Sequence, residues 1–266
     1  MTNGELFLLS DTVSTQVNIS VLVPAYNEEL LIGEALGSVR DSFAAAGRSD
    51  YETVVCDNDS SDATAERARE FGARVVFEEH NQIARARNAA ARAARGKWLI
   101  FIDADSRLTP GLLRRTLENL ESGKICGGGA RVEMEEPLDR AMKAGLGFWN
   151  TVSRWFRIAP GSYVYCARAA WEETGGFDER YYAGEEIAFS RSLKKWGRRR
   201  GLGFEIINDC ALLTSSRKAE QFSLGQMLGQ VLVCCIPGSL RRRDRCGFWY
   251  TRPATRSGGG EAGRDG

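Results

Sequence analysis

Histidine is almost missing from this chain: His80 is the single one among 266 residues. That scarcity sets aside Ser-His-Asp and Cys-His nucleophiles and multi-histidine metal centres. Cysteine pairs are missing too. The seven cysteines are scattered, Cys234 and Cys235 are adjacent, and no Cys-x-x-Cys occurs, which argues against a zinc ribbon. An odd count with no secretory signal fits a reducing compartment. A net charge of +1 leaves no global field to recruit nucleic acid. No apolar run reaches the ~18 residues of a membrane span. The patch Leu6–Leu9 lacks the preceding basic region of a signal peptide. These absences predict a cytoplasmic protein without a nucleic-acid partner.

What is present is an alternation of strand and helix. "NISVLVPAYNE" (18–28) is a β-branched, apolar strand stopped at Pro24. Apolar residues at 31, 32, 35, 36, 39 and 43 then follow helical spacing up to Gly47. "YETVVCD" (51–57) is a second strand, and Ser60 or Ser61 is placed to cap the helix "DATAERAREFG". "ARVVF", an alanine-rich helix "IARARNAAARAARG" and the strand "KWLIFIDAD" continue the rhythm. Short connections between such elements predict an α/β fold with a mostly parallel, Rossmann-like sheet wound by helices.

After Pro110 the rhythm changes to a smaller mixed region. "GLLRRTLENLES" and "GEEIAFSRSLKKWG" are helices, "FEIIND" is a late strand, and "GGGARVEME" is expected at the sheet's edge. The expected organisation is a flexible arm 1–17 and a domain 18–215, divided into 18–109 and 110–215. An amphipathic helix with a basic segment (216–250) and a disordered tail (251–266) follow. The aromatic segment 148–165 reads as core or as the wall of an acceptor site.

Polar groups stand at four strand ends: "PAYNE", "CDNDSSD", the "RARN" stretch and "DAD". Ligands of an open parallel sheet bind beyond the carboxyl ends of its strands, so the four together predict a crevice. "WLIFIDADSRLTP" poses the sharpest question there. Residues i and i+2 of a strand point to one side, so Asp103 and Asp105 aim two charges at one spot, which calls for a positive partner.

The ordered set of motifs resembles glycosyltransferase family 2, the nucleotide-sugar transferases of GT-A fold, over about residues 18–200. The "P-x-Y-N-E" segment is matched by Pro24, Tyr26, Asn27 and Glu28, and "D-[DN]-G-S-x-D" by Asp57, Asn58, Ser60 and Asp62. Ala86, Arg87 and Asn88 match "ARN", while Asp103, Ala104 and Asp105 form the DxD. Gly175 to Glu179 and the pair Glu185-Glu186 match "GGFDE" and its acidic partner. The resemblance implies Mg2+ or Mn2+ at Asp105, with Asp103 on the metal or the ribose. A hard cation on carboxylates neutralises a departing diphosphate. It also implies Asp57 at the base, Glu28 at the ribose and Arg87 at phosphate or base, with Pro24, Tyr26, Asn27, Asn58, Asp59, Asn88 and Ala104 completing the donor site.

An acceptor hydroxyl attacking the anomeric carbon must lose its proton to a nearby base. With histidine effectively unavailable, a carboxylate is left. The family's acidic pair implies Glu186 as base and Glu185 as its orienter. Two departures stand out. Asp59 replaces the usual glycine, in a turn where Asp tolerates left-handed backbone better than most residues. Glu-Glu replaces Glu-Asp. No Gln-x-x-Arg-Trp follows residue 200, so single-sugar rather than processive transfer is expected.

The implied function is an inverting transfer of sugar from a nucleoside diphosphate-sugar to a lipid-linked, glycan or small-molecule acceptor. Two rival readings predict different behaviour. A haloacid-dehalogenase-like phosphatase would hydrolyse a generic phosphoester and lose that activity in Asp103→Asn. A non-catalytic module would bind the donor without transfer or slow hydrolysis. Leu224, Met227, Leu228, Val231, Leu232 and Cys235 follow helical spacing before Arg241, Arg242, Arg243 and Arg245. That arrangement predicts weak peripheral contact with the inner face of a membrane.

Overall fold

Strand β1 (Ile19–Ala25) is buried along its whole length. In the computed structural model, which describes residues 16–135, 140–215 and 238–250, it pairs in parallel with β2 (Tyr51–Asp57) on one side and β4 (Trp98–Ile102) on the other. Strand β3 (Arg74–Phe77) adds to β2, also in parallel. These strands read as continuous apolar runs because helices cover both faces. Ile19, Val21 and Val23 pack against Ile32, Leu36 and Val39 of α1 (Ile32–Ala45) and Leu112 of α4 (Pro110–Glu121). Leu22 faces Ala84, Ala86 and Ala90 of α3 (Ile83–Ala93), where small alanines let helix and sheet approach closely.

Helix α2 (Thr64–Glu70) carries a correction. Neither serine caps it: Ala63 occupies the cap position, and Asp62 Oδ1 accepts from the Thr64 amide at 3.0 Å. Ser60 Oγ instead accepts from the Asn27 amide. An aspartate two residues before an orphan amide reaches it by an Asx-type turn, so the serines were free for another loop.

The remaining elements are β5 (Ser106–Arg107), β6 (Ile125–Met134), α5 (Arg140–Phe156), β7 (Tyr163–Ala167), α6 (Arg168–Thr174), α7 (Glu185–Arg198) and β8 (Gly203–Thr214). They complete one eight-stranded sheet in the order β3-β2-β1-β4-β7-β6-β8-β5. β7 runs antiparallel to β4 and β6, and β6 runs parallel to β8. The fold is therefore α/β, parallel in its first half and mixed in its second.

β6 is not an edge strand as expected; it lies between β7 and β8. Its glycine run suggested a weak strand, but the glycines make room. Tyr165 crosses Gly128 so that its hydroxyl donates to the Glu205 carbonyl at 3.0 Å and accepts from Asn119 Nδ2 at 2.8 Å. A Cβ on Gly128 would collide with the Glu205 carbonyl and stand 2.5 Å from Tyr165 Oη. Gly128→Ala is expected to destabilise the fold by about 2–3 kcal/mol, since overpacking a filled core displaces backbone. A thermal melt within a degree of wild type would refute this.

Residues 238–250 pack back on the domain. The Leu240 carbonyl accepts from the Tyr182 amide at 2.7 Å, and the Tyr250 hydroxyl donates to the Tyr182 carbonyl at 2.8 Å. Arg241 lies on the Tyr181 ring and Arg243 near that of Tyr250. The expected stripe from Leu224 to Cys235, the arm up to residue 15 and the tail 251–266 lie outside the described residues.

Candidate active site

Parallel register brings the ends of β1, β2 and β4 to one edge of the sheet, with Ala25 opposite Asp57. The loops beyond are stitched together. Asn27, at φ 51, donates its amide to Ser60 Oγ and accepts from the Ser61 amide at 2.8 Å through Oδ1. Asp59 adopts φ 66, the left-handed turn that glycine would make most easily. Asp57, buried, accepts from the Ser60 amide at 3.2 Å.

Two asparagines expected at the donor are engaged within the protein. Asn58 Nδ2 donates to the carbonyls of Glu78 and His80, and its Oδ1 accepts from the Gln82 amide. Asn88 Nδ2 donates to the Phe177 carbonyl at 2.8 Å and to Glu179 Oε1, while its Oδ1 accepts from the Phe177 amide. They shape the loops after β3 and before α7. Gln82, which no motif singled out, continues this network to the carbonyls of Glu179 and Tyr181.

The carboxylates converge on a cleft of about 300 Å3. Pro24, Tyr26, Glu28, Asp103, Ala104 and Asp105 line it together with Glu185 and Glu186. Gly184, at φ 74, turns the chain so that the acidic pair opens α7. A carboxylate there faces the positive end of the helix dipole. A larger hollow of about 580 Å3 behind the loop 174–180 contains neither DxD carboxylate and is not where these motifs meet.

Arg87 ties these segments together. Buried to 1% exposure, it donates from Nη2 to Asp103 Oδ1 at 3.0 Å and to the Gly161 carbonyl at 2.6 Å, and from Nη1 to Glu185 Oε1 at 2.5 Å. Its guanidinium thus grips the DxD and the acidic pair. Burial alone would lower its pKa, but Asp103, Glu185 and Glu186 outweigh burial and the net shift is upward. One cation serves three carboxylates, so a proton is retained. Burial, then the charge of Glu185, pushes the Glu186 carboxyl up to about 8. Glu185, itself raised by burial that Arg87 only partly offsets, is 3% exposed and faces inward. Glu186 is the half-buried member beside Gly161, where a Cβ would lie 3.6 Å from its Cδ.

A divalent cation fits the donor set in one respect. Asp103 Oδ1 is committed to Arg87, leaving Oδ2 and the Asp105 carboxylate as hard oxygen ligands. Among the described residues no three His, Cys, Asp or Glu side chains gather into a cage. Such a sparse site suits an ion that completes its shell with water and substrate phosphate.

Comparison with known proteins settles the class. The model of glycosyl transferase family 2 matches residues 20–181. The chain belongs to that family. The glycosyltransferase AglE of Haloferax volcanii is 31% identical over 257 residues, covering 89% of this chain and 81% of that one. The WfgD β-1,3-glucosyltransferase of Escherichia coli, named for UDP-Glc and α-D-GlcNAc-diphosphoundecaprenol, is 34% identical over 91 residues, 33% of this chain and 34% of WfgD. Matches to several curated relatives span only about a third of their length. Among solved structures, the mannosyltransferase PcManGT of Pyrobaculum calidifontis, in complex with GDP-Man and Mn2+, superposes with a TM-score of 0.61 at 22% identity, over 83% of this chain and 63% of that one. The fold is GT-A.

Sequence reasoning did not single out Leu146 of α5, Tyr182 or Tyr250 as parts of the cleft. Trp149 belonged to an aromatic segment that the structure divides three ways. Tyr163 and Tyr165 are core, Trp149 lines the cleft, and Phe148, Trp155 and Phe156 face solvent. Tyr250 carried no spacing signal, being far along the chain from every motif.

Proposed function

We propose that this family-2 enzyme transfers a single sugar, with inversion, from a nucleoside diphosphate-sugar to an acceptor hydroxyl, with Mg2+ or Mn2+ bound. The observation that carries the proposal is that Glu186 shares one cleft with Asp103 and Asp105, at the start of a helix that Arg87 holds to the DxD through Glu185. A carboxylate in the same cleft as the metal-binding aspartates is placed to take the acceptor's proton.

In this reading Glu186 accepts the acceptor's proton and Glu185, anchored by Arg87, orients the helix start. Asp57 accepts from the base and Glu28 from the ribose, with Tyr26 and Pro24 beside them. Asp105 and the free oxygen of Asp103 hold the divalent cation, which neutralises the diphosphate when bound. Arg87 acts here as a positioning residue rather than a phosphate ligand. The Mn2+ and GDP-Man named with PcManGT support the cofactor and the donor class. The lipid-linked diphosphate named with WfgD supports a lipid-linked acceptor. The missing Gln-x-x-Arg-Trp segment supports single transfer. The phosphatase and binding-module readings have no observation in their favour.

The experiment is a thermal-shift screen of nucleoside diphosphates and their sugars with and without Mn2+, followed by product analysis with the best donor. A ligand of the folded state raises Tm by mass action. The expected result is a rise that needs Mn2+, shrinks in Asp105→Ala and accompanies transfer with inverted configuration. Full transfer in excess chelator would overturn the metal assignment, and a retained configuration the stereochemical one.

A further inference from the structure

Helix α5 has two unlike faces. Leu146 and Trp149 line the cleft, Asn150 bonds both backbone groups of Val132, and Ser153 is buried. These residues, three and four apart, form the inner stripe. The outer face presents Phe148 at 71% exposure and Trp155 at 81%, one heptad apart, with Phe156 at 65% beside them. Half of the large apolar side chains exposed among the described residues are thus on this one helix. Such clustering marks a surface that meets something apolar.

Along the helix and the segment after it the charge has one sign. From Arg140 to Trp171 the sequence contains no Asp or Glu, yet it includes Lys143, Arg154 and Arg157. Lys194 of α7 reaches over to donate to the Phe156 carbonyl at 2.9 Å. Burial, then Arg191, Arg198 and Arg157, holds the Lys194 ammonium below its ordinary range, so these three arginines lie close to Lys194. Arg157 ends α5 at φ 49, a left-handed position where glycine is the usual cap. An arginine stands there against its steric preference.

Aromatic rings flanked by cations on an amphipathic helix match the headgroup layer of an anionic bilayer. We propose that the outer face of α5 docks this protein on an anionic lipid surface, with Phe148, Trp155 and Phe156 entering the interface and Arg154, Arg157, Arg191 and Arg198 meeting the headgroups. The arginines after residue 240 are poorer candidates, because Arg241 and Arg243 are engaged on Tyr181 and Tyr250. The inner face of the same helix forms a cleft wall, so docking sets the cleft mouth beside the membrane. That last consequence rests on the proposed function; the docking does not.

The test is co-sedimentation of the full chain with phosphatidylcholine vesicles and with mixed phosphatidylcholine–phosphatidylglycerol vesicles. Wild type is expected to partition onto the anionic vesicles only, and less at high salt. Phe148→Ser/Trp155→Ser/Phe156→Ser is expected to lose binding while melting like wild type. Arg154→Gln/Arg157→Gln is expected to weaken binding by roughly fivefold per arginine, the effect of about one surface cation near an anionic leaflet. Neutralising Arg241, Arg242, Arg243 and Arg245 together is expected to leave binding in place. Brominated lipid should quench wild-type fluorescence more than that of Trp155→Phe. The proposal fails if the wild type ignores lipid charge, or if neither α5 variant differs from it. It also fails if the aromatic variant abolishes a concentration-dependent dimer instead, or if vesicle binding appears only after deletion of residues 216–237. Those two outcomes would make the face a self-contact or the seat of the chain's own segment.

Discussion

Glu186→Gln is expected to lower turnover by about a hundredfold to ten-thousandfold, the usual contribution of a positioned general base, while donor binding persists. The substitution keeps the side chain's shape and removes its ability to take a proton. Glu185→Gln is expected to be milder, because Glu185 is bonded to Arg87 and is the more buried of the pair. Transfer at the wild-type rate by Glu186→Gln would end the assignment.

The raised Glu186 carboxyl, at about 8, adds a pH signature. A base works deprotonated, so kcat/KM of the wild type should climb with pH towards about 8 and level off above it. Stability runs the other way. Folded, Glu186 keeps its proton to about pH 8; unfolded, it would lose it near its ordinary value of 4.5. The stabilising proton is therefore fully present below 4.5 and is lost as pH rises through about 8. Glu186→Gln should show a flatter loss of Tm across that window and melt above wild type at its alkaline end. Parallel Tm-against-pH curves for the two proteins would refute the shift.

Arg87→Met is expected to destabilise the protein by about 3–5 kcal/mol, because removing one partner of a buried ion pair strands the other charge. Here it strands two, Asp103 and Glu185. In a chain of this size that corresponds to a Tm lower on the order of 10 °C. Activity should fall as well, since the DxD strand end and the start of α7 would no longer share an anchor. The double variant Arg87→Met/Glu185→Gln should recover part of the lost Tm, because the uncharged amide needs no counter-ion. Equal melting of the single and double variants would show that the clamp is not what Glu185 depends on, and a wild-type Tm in Arg87→Met would dismiss the clamp altogether.

Much of the first half was legible from residues alone. The strands at 19–25, 51–57 and 98–102 are apolar runs bounded by turn residues, and two-sided burial leaves such runs few other homes. The glycine run of β6 misled, because a missing side chain reads locally as weakness. Only Tyr165, 37 residues on in the chain, shows what fills the space. The serine cap of α2 misled for a similar reason, since a hydroxyl's partner depends on which loop is closest in space.

For the site the division is sharper. The sequence by itself determined the inventory: one histidine, a DxD at a strand end, an acidic pair ahead of a helix, and an ordered series of family-2 motifs. Those follow from residue types and local spacing. Only the tertiary structure decided how the inventory is used. It turned Arg87 inward between Asp103 and Glu185, gave Asn58 and Asn88 to the loops, and brought Tyr250 to the cleft. It left the aromatic face of α5 in water. The reason is physical: hydrogen bonds and Coulomb forces act over a few ångströms of space, and spacing along the chain says little about which groups folding brings that close.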